Sequence, residues 1–167
     1  TFSSLELHTE SEKLSSGAVQ IGDPITERKV MDAVLRCAEL DLFSAITDCG
    51  AGGFSSACGE MAEGLGAEIE LGDAPLKYAG LAPWEIWISE AQERMVLAVP
   101  SSKLQQLLQV CREEACEAVV LGRFTGDNRL VVKYRGTVHA DLDLHFLHKG
   151  LPTRTRDAVY VAPSLQE

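Results

Sequence analysis

The sequence predicts an α/β (α+β) fold, a mixed β-sheet packed with helices into a sandwich. Three observations point there. Apolar residues recur at helical spacing in two stretches, Ile25 to Leu42 and Leu104 to Ala115. Short apolar runs such as "FSAITD" and "ERMVLAVP" end at a glycine loop or a proline, as strands do. The two kinds of segment alternate through most of the chain and then give way to a succession of strands, without internal repeat or low-complexity segment.

Residues 8 to 18, "HTESEKLSSGA", are polar and aperiodic and read as a loop; the opening "TFSSLEL" is strand-like. The short extended piece "AVQIGDP" closes at Gly22. Asp23 is then an N-cap and Pro24 a first helical residue, because a carboxylate can accept an orphan N–H and proline has none to lose. The helix is expected over 24–41. The strand "FSAITD", a glycine loop and a helix over 53–64 follow, with Gly64 and Gly66 suited to its C-terminal end. Ala67 to Leu71 alternates as a strand, and Pro83 opens a short helix through "WEIWIS". "ERMVLAVP" reads as a central strand stopped by Pro100, and Ser101 or Ser102 caps the next helix. "AVVLGRF" and "RLVVKYR" are expected to pair as a hairpin around "TGDN". "VHADLDLHF" alternates and extends that sheet, and the tail from Leu147 lies over the surface.

Composition narrows the function. The net charge is −10 and the 15 Lys and Arg are scattered, whereas nucleic-acid binders gather basic residues on one face. Nucleic acid is therefore disfavoured. A phosphorylated ligand stays compatible, provided that magnesium or backbone N–H groups supply positive potential. No run of about 18 apolar residues exists to span a membrane. The start lacks the basic and apolar segments of a signal peptide, and it lacks an initiator Met, so a piece of a longer polypeptide is expected. The five cysteines form no CxxC pair, which argues against zinc; Cys37 and Cys111 fall on apolar helical faces as small hydrophobes. A reducing, cytoplasmic compartment is expected.

Three segments carry residues fit for chemistry. In "TDCGAGG", Asp48 ends a strand and Gly50, Gly52 and Gly53 precede a helix. Glycines let backbone approach a ligand, helix-start N–H groups favour anions, and a carboxylate there can hold Mg²⁺ against a phosphate. A tight turn with a solvated Asp explains the same residues, and this motif alone leaves both open. In "ISEAQERM", Ser89, Glu90, Gln92 and Glu93 interrupt apolar sequence. Unpartnered burial of such groups costs about 1–3 kcal/mol each, so they are expected to face water or a ligand. Gln20 stands on the extended piece before the first helix. His139, His145 and His148 lie in or beside the last strand. At ~3.3 Å per residue, His139 and His145 are roughly 20 Å apart, too far to share a metal.

Taken together and in order, "AVQIGDPITERKVMDAVL", "ITDCGAGGFSSACGEMAEGLGAEIEL", "APLKYAGLAPWEIWISEAQERMVLAVP" and "DLDLHFLHKGLP" resemble phosphoribosylformylglycinamidine synthase over about residues 1–152. That family is the glutamine-amidotransferase-coupled synthetase of purine biosynthesis. The combination of VQ-GDP, D-GAGG and SE-QERM at these separations is far more specific than any one of them. The resemblance is to the AIR-synthase-related C-terminal domain of the enzyme's first half. It implies a tail and linker over 1–18, the domain itself over 19–150, and an extension or linker over 151–167.

The family's reaction is an ATP-dependent ligation. Phosphorylation activates the amide oxygen of formylglycinamide ribonucleotide, and glutamine-derived ammonia displaces phosphate to give the amidine. The resemblance implies that Gln20, Glu90, Ala91 and Gln92 contact the ribonucleotide and that Asp48 is a magnesium ligand. Ala91 stands where the family often has Ser, which leaves only a backbone contact, and Cys49 stands where Leu is common, a packing position. The implied catalytic His, most ATP contacts and the glutaminase belong to a preceding ATP-binding domain and a further domain or subunit. By that reading the chain is half of an active-site cleft, inactive alone. Two other readings are another enzyme of the same ATP-binding superfamily and a non-catalytic assembly module on the same fold. SE-QERM argues against the first, and the joint presence of Gln20, Asp48 and Glu90 against the second.

Overall fold

The computed structural model describes residues 19–20 and 22–160; the loop expected over 8–18 and the strand-like opening lie outside them. The first element, β1 (Val19–Gln20), leads to α1 (Pro24–Glu39). Asp23 caps α1 as its chemistry requires, with Oδ2 accepting from the Thr26 N–H at 3.0 Å and the Thr26 hydroxyl at 2.6 Å. Then come β2 (Ala45–Asp48), α2 (Phe54–Met61), β3 (Ala67–Glu70) and a single 3₁₀ turn over Leu71–Asp73. After α3 (Pro83–Ile88) follow β4 (Glu90–Ala91), β5 (Met95–Ala98) and α4 (Leu104–Glu113). The chain continues through β6 (Gly122–Phe124), β7 (Arg129–Tyr134), β8 (Thr137–Asp143) and α5 (Leu144–Lys149), and residues 152–160 have no regular structure.

The strands form three sheets where a single mixed sheet was expected. β1 pairs β4, β2 pairs β5, and β6-β3-β7-β8 make a four-stranded mixed sheet. "ERMVLAVP" is accordingly no central strand: β4 and β5 are separate, and β5 has β2 as its neighbour. The expected hairpin of "AVVLGRF" with "RLVVKYR" does not form. β3 lies between them, antiparallel to β6 and parallel to β7. The "TGDN" residues wrap the entry to β3, with the Thr125 N–H on the Gly66 carbonyl (3.1 Å) and the Asn128 N–H on that of Leu65 (3.4 Å). Parallel pairing with β7 lets β3 bury Ala67 and Ile69 beside Leu130 and Val132. A two-stranded hairpin could not bury both.

Two other boundaries move for local reasons. The last strand stops at Asp143, whose carboxylate takes the Phe146 N–H (2.8 Å) and starts α5, so His145 and His148 are helical. Lys103, not Ser101 or Ser102, precedes α4, and no side chain caps it.

The core has two parts. In one, α2 and α3 bury Phe54, Ala57, Cys58 and Ile86 against the four-stranded sheet. In the other, α1 and α4 bury Ala33, Cys37, Leu107, Val110 and Cys111 against each other. The β2–β5 ribbon divides them. Successive residues of a strand face opposite sides, and here Val96 packs on the first part while Leu97 and Val99 pack on the second. Cys37 and Cys111 are buried as the apolar pattern required, and Cys49 is buried at the packing position that the resemblance implied. Among the described residues no helix is long and apolar enough to cross a membrane.

Candidate functional site

The ribbon places Asp48 at the C-terminal end of β2, paired with Met95 of β5. The chain then stays bound to the segment it faces. The Cys49 N–H donates to the Arg94 carbonyl (3.0 Å), and the Cys49 carbonyl accepts from the Ala91 N–H (3.3 Å). From the other side β1 joins in parallel, with Val19 opposite Glu90 and Gln20 opposite Ala91. Three segments remote in sequence thus meet. The end of β2 with its loop and the 90–95 segment border a cleft of about 270 Å³ lined by Asp48, Gly50, Ala51 and residues 90–95, and β1 is joined to that wall through β4.

The glycine loop is closed largely on itself. Asp48 Oδ1 accepts the Gly50 N–H (2.7 Å), the Gly53 N–H donates to the Gly50 carbonyl (2.8 Å), and the Ser55 N–H to that of Gly52 (3.0 Å). The hydroxyls of Ser55 and Ser56 bond the Gly52 and Ala51 carbonyls at 2.6 and 2.7 Å. Gly53 has φ 55° and ψ −131°, and a Cβ there would lie 2.1 Å from the Ser89 carbonyl oxygen. Only glycine permits that approach and that backbone angle. Its bareness therefore serves the docking of chain on chain. Of the three glycines, Gly50 lines the cleft and Gly52 and Gly53 stand behind it.

Arg94, which sequence reasoning passed over, joins the two walls. Its Nη2 donates to the Ser89 carbonyl at 2.6 Å, and its guanidinium lies 3.8 Å from the centroid of the Phe54 ring. Nε and Nη1 are buried without a hydrogen-bond acceptor, compensated by the aromatic face and the neighbouring Cys49 sulfur. Burial pulls the guanidinium below its ordinary pKa, opposed by Cys49; burial likewise raises the Cys49 thiol, opposed by Arg94. The sequence carried no distinct signal for it, since in "ERMVL" an Arg between a Glu and an apolar strand reads as a solvated charge.

The expectation that the polar residues of "ISEAQERM" face water or ligand holds for Gln92 alone in simple form. Ser89 is fully buried and Glu90 is 6 % exposed, although Glu90 borders the cleft. Glu93 is tied down on both oxygens, Oε1 by the Asp23 N–H (3.1 Å) and Oε2 by Lys77 Nζ (2.9 Å). That fastens the start of α1 to the cleft wall. Ala91 is buried, and its N–H is taken by Cys49.

No three His, Cys, Asp or Glu groups among the described residues are arranged to hold a metal. A structural cage is thus ruled out for these residues, but magnesium seldom uses one. It takes one or two carboxylates and completes its octahedron with water and phosphate oxygens. The exposed Asp48 at the cleft edge fits that donor set. The histidines stay away from the cleft: His139 is exposed on β8 beside Tyr134, and His148 Nε2 lies 3.1 Å from the Gly59 carbonyl.

The chain matches the family model described as AIR synthase related protein, C-terminal domain, over residues 1–135. It is 42 % identical over 153 residues to the phosphoribosylformylglycinamidine synthase subunit PurL of Methanopyrus kandleri, covering 90 % of this chain and 21 % of that protein. The chain spans about a fifth of the length of such curated relatives. Among solved structures, Thermotoga maritima PurL complexed with FGAR superposes with a TM-score of 0.76 at 30 % identity, over 89 % of this chain and 24 % of that one. The same protein complexed with ATP gives 0.75 at 31 %, over 87 % and 25 %.

Proposed function

The chain belongs to the AIR synthase related family, in its C-terminal domain, and from that premise we propose that the cleft is the substrate- and magnesium-contacting side of a phosphoribosylformylglycinamidine synthase. The parent reaction is the ATP-dependent conversion of formylglycinamide ribonucleotide and glutamine-derived ammonia to formylglycinamidine ribonucleotide. One observation carries the reading. Asp48 and the 90–92 segment, distant in sequence, line one cleft, and β1, which carries Gln20, pairs with β4 of that wall.

In this reading Gln20, Glu90 and Gln92 bind and orient the ribonucleotide. Ala91 contributes through its carbonyl, since its N–H is engaged. Asp48 supplies one carboxylate to Mg²⁺, which would neutralise phosphate charge at the cleft. Gly50 and Ala51 bring backbone close to that phosphate. Phosphoryl transfer depends mainly on such positioning and charge neutralisation. ATP is bound mainly by a preceding domain, ammonia comes from a glutaminase domain or subunit, and the setting is cytoplasmic. Residues 1–18 serve as tail and linker, 19–150 as the domain and 151–167 as an extension. No residue of this chain is assigned a catalytic proton transfer.

The test is kinetic, in the full-length enzyme. Replacing Glu90 by Ala should raise KM for formylglycinamide ribonucleotide about tenfold or more, the equivalent of one lost polar contact, and leave KM for ATP unchanged. A raised KM for ATP with the ribonucleotide KM unchanged would refute the assignment.

A further inference from the structure

The C-terminal turn of α4 gathers three thiols. Beyond Glu113 the chain reverses through Ala115 at φ 51°. The Ala115 N–H donates to the Arg112 carbonyl (3.1 Å) and the Cys116 N–H to the Cys111 carbonyl (2.8 Å). This paired bonding folds the residue two past the cap back over the last full turn, where the two side chains usually make an apolar contact. Here the two side chains are Cys111 and Cys116. The Cys111 and Cys116 thiols are electrostatically coupled to each other and to Cys37 of the facing α1, and the Cys116 thiol donates to the Glu117 carbonyl at 3.7 Å. Cys111 is buried, Cys116 is half-exposed, and both rest on the core between α1 and α4.

We propose that Cys111 and Cys116 are a redox modification site, forming a reversible intramolecular disulfide across the end of α4. The partners are five residues apart and already turned toward each other by the backbone, so closure needs no rearrangement of the helix. Coupling with Cys116 foremost, seconded by Cys37, outweighs burial and lowers the Cys111 thiol to about 7, while the same coupling pushes the Cys116 thiol far above its ordinary value, so the thiolate of the pair is that of Cys111. With a small-molecule disulfide as oxidant, the Cys111 thiolate attacks one sulfur and expels a small thiolate, leaving a mixed disulfide. Cys116 then gives its proton to the expelled thiolate, attacks the Cys111 sulfur and releases the second small thiolate. The protein loses two electrons and two hydrogens, and the small disulfide becomes two thiols. None of this depends on what the cleft binds.

The sequence makes the test direct. Trypsin cuts after Lys103, Arg112 and Arg123, which puts Cys111 and Cys116 on separate peptides, 104–112 and 113–123. The folded chain is incubated with oxidised glutathione, quenched in acid, alkylated and digested without reductant. The expected product is 104–112 joined to 113–123 in a chain lighter by two hydrogens, reversed by dithiothreitol and lost in Cys116→Ser. The thiol of Cys58, buried and pushed up to about 12, should remain reduced. Full alkylation of both peptides, a lasting glutathione adduct on either cysteine, or 104–112 joined to the peptide 37–77 would each overturn the proposal.

Discussion

At Asp48 a single carboxylate stands at the cleft edge, its Oδ1 already holding the Gly50 N–H. Asp48→Asn keeps the shape and one neutral oxygen and removes the charge. In the full-length enzyme, turnover should fall by about 100-fold or more, the scale of one lost electrostatic contact in a transition state, with melting nearly unchanged because the side chain is exposed. Raising magnesium should restore part of the loss. Turnover against magnesium for both proteins checks this, and equal turnover at limiting magnesium would make Asp48 a turn residue only. Arg94 presents the opposite case, a residue held for structure. Arg94→Met should lower stability by about 1–3 kcal/mol in urea titration, because the Ser89 carbonyl loses its donor, moderated by relief of a desolvated charge. Unchanged stability would show that the burial penalty cancels the bonds. Asp48 was legible from its place before three glycines. Arg94 was not, because a charge beside a strand reads as solvated until the Phe54 ring that covers it is known.

Elements in this chain are held at their ends by carboxylates. Glu70, the last residue of β3, accepts the N–H groups of Gly72 and Arg135 at 2.8 Å and of Gly136 at 3.0 Å, fastening the β7–β8 turn to its neighbour. Those bonds, that from Gly136 foremost, hold its carboxyl below the ordinary value of 4.5. A lowered folded pKa means that the unfolded chain binds protons first on acidification. The stabilisation is therefore complete above about 4.5 and lost as pH falls through the folded value. Glu70→Gln removes this titration. Melting curves across acidic pH should show the wild type's advantage at neutrality shrinking below 4.5, and a constant gap would refute the assignment. Helix starts at Asp23 and Pro24 were readable because caps are local chemistry. The β6–β7 hairpin was misread because "TGDN" has turn chemistry whichever strand lies between its arms.

For the whole molecule, the two-part core accounts for a folded chain. The chain alone should melt cooperatively and show no ATP turnover. Steady hydrolysis by purified chain that disappears in Asp48→Ala would refute this, since it would place a complete phosphoryl-transfer site within these residues.

By itself the sequence determined the fold class, the capped first helix and the burial of Cys37 and Cys111, and it singled out the "TDCGAGG" and "ISEAQERM" segments whose residues line one cleft. These follow from periodicity, capping and residue chemistry, all short-range properties written in adjacent letters. Tertiary structure alone decided that β3 enters between β6 and β7, that Glu93 is bound by Lys77 and the start of α1, and that Gly53 is bare to admit the Ser89 carbonyl. The reason is physical: strand pairing and close backbone approach join residues tens of positions apart, and nothing in either local segment specifies its partner.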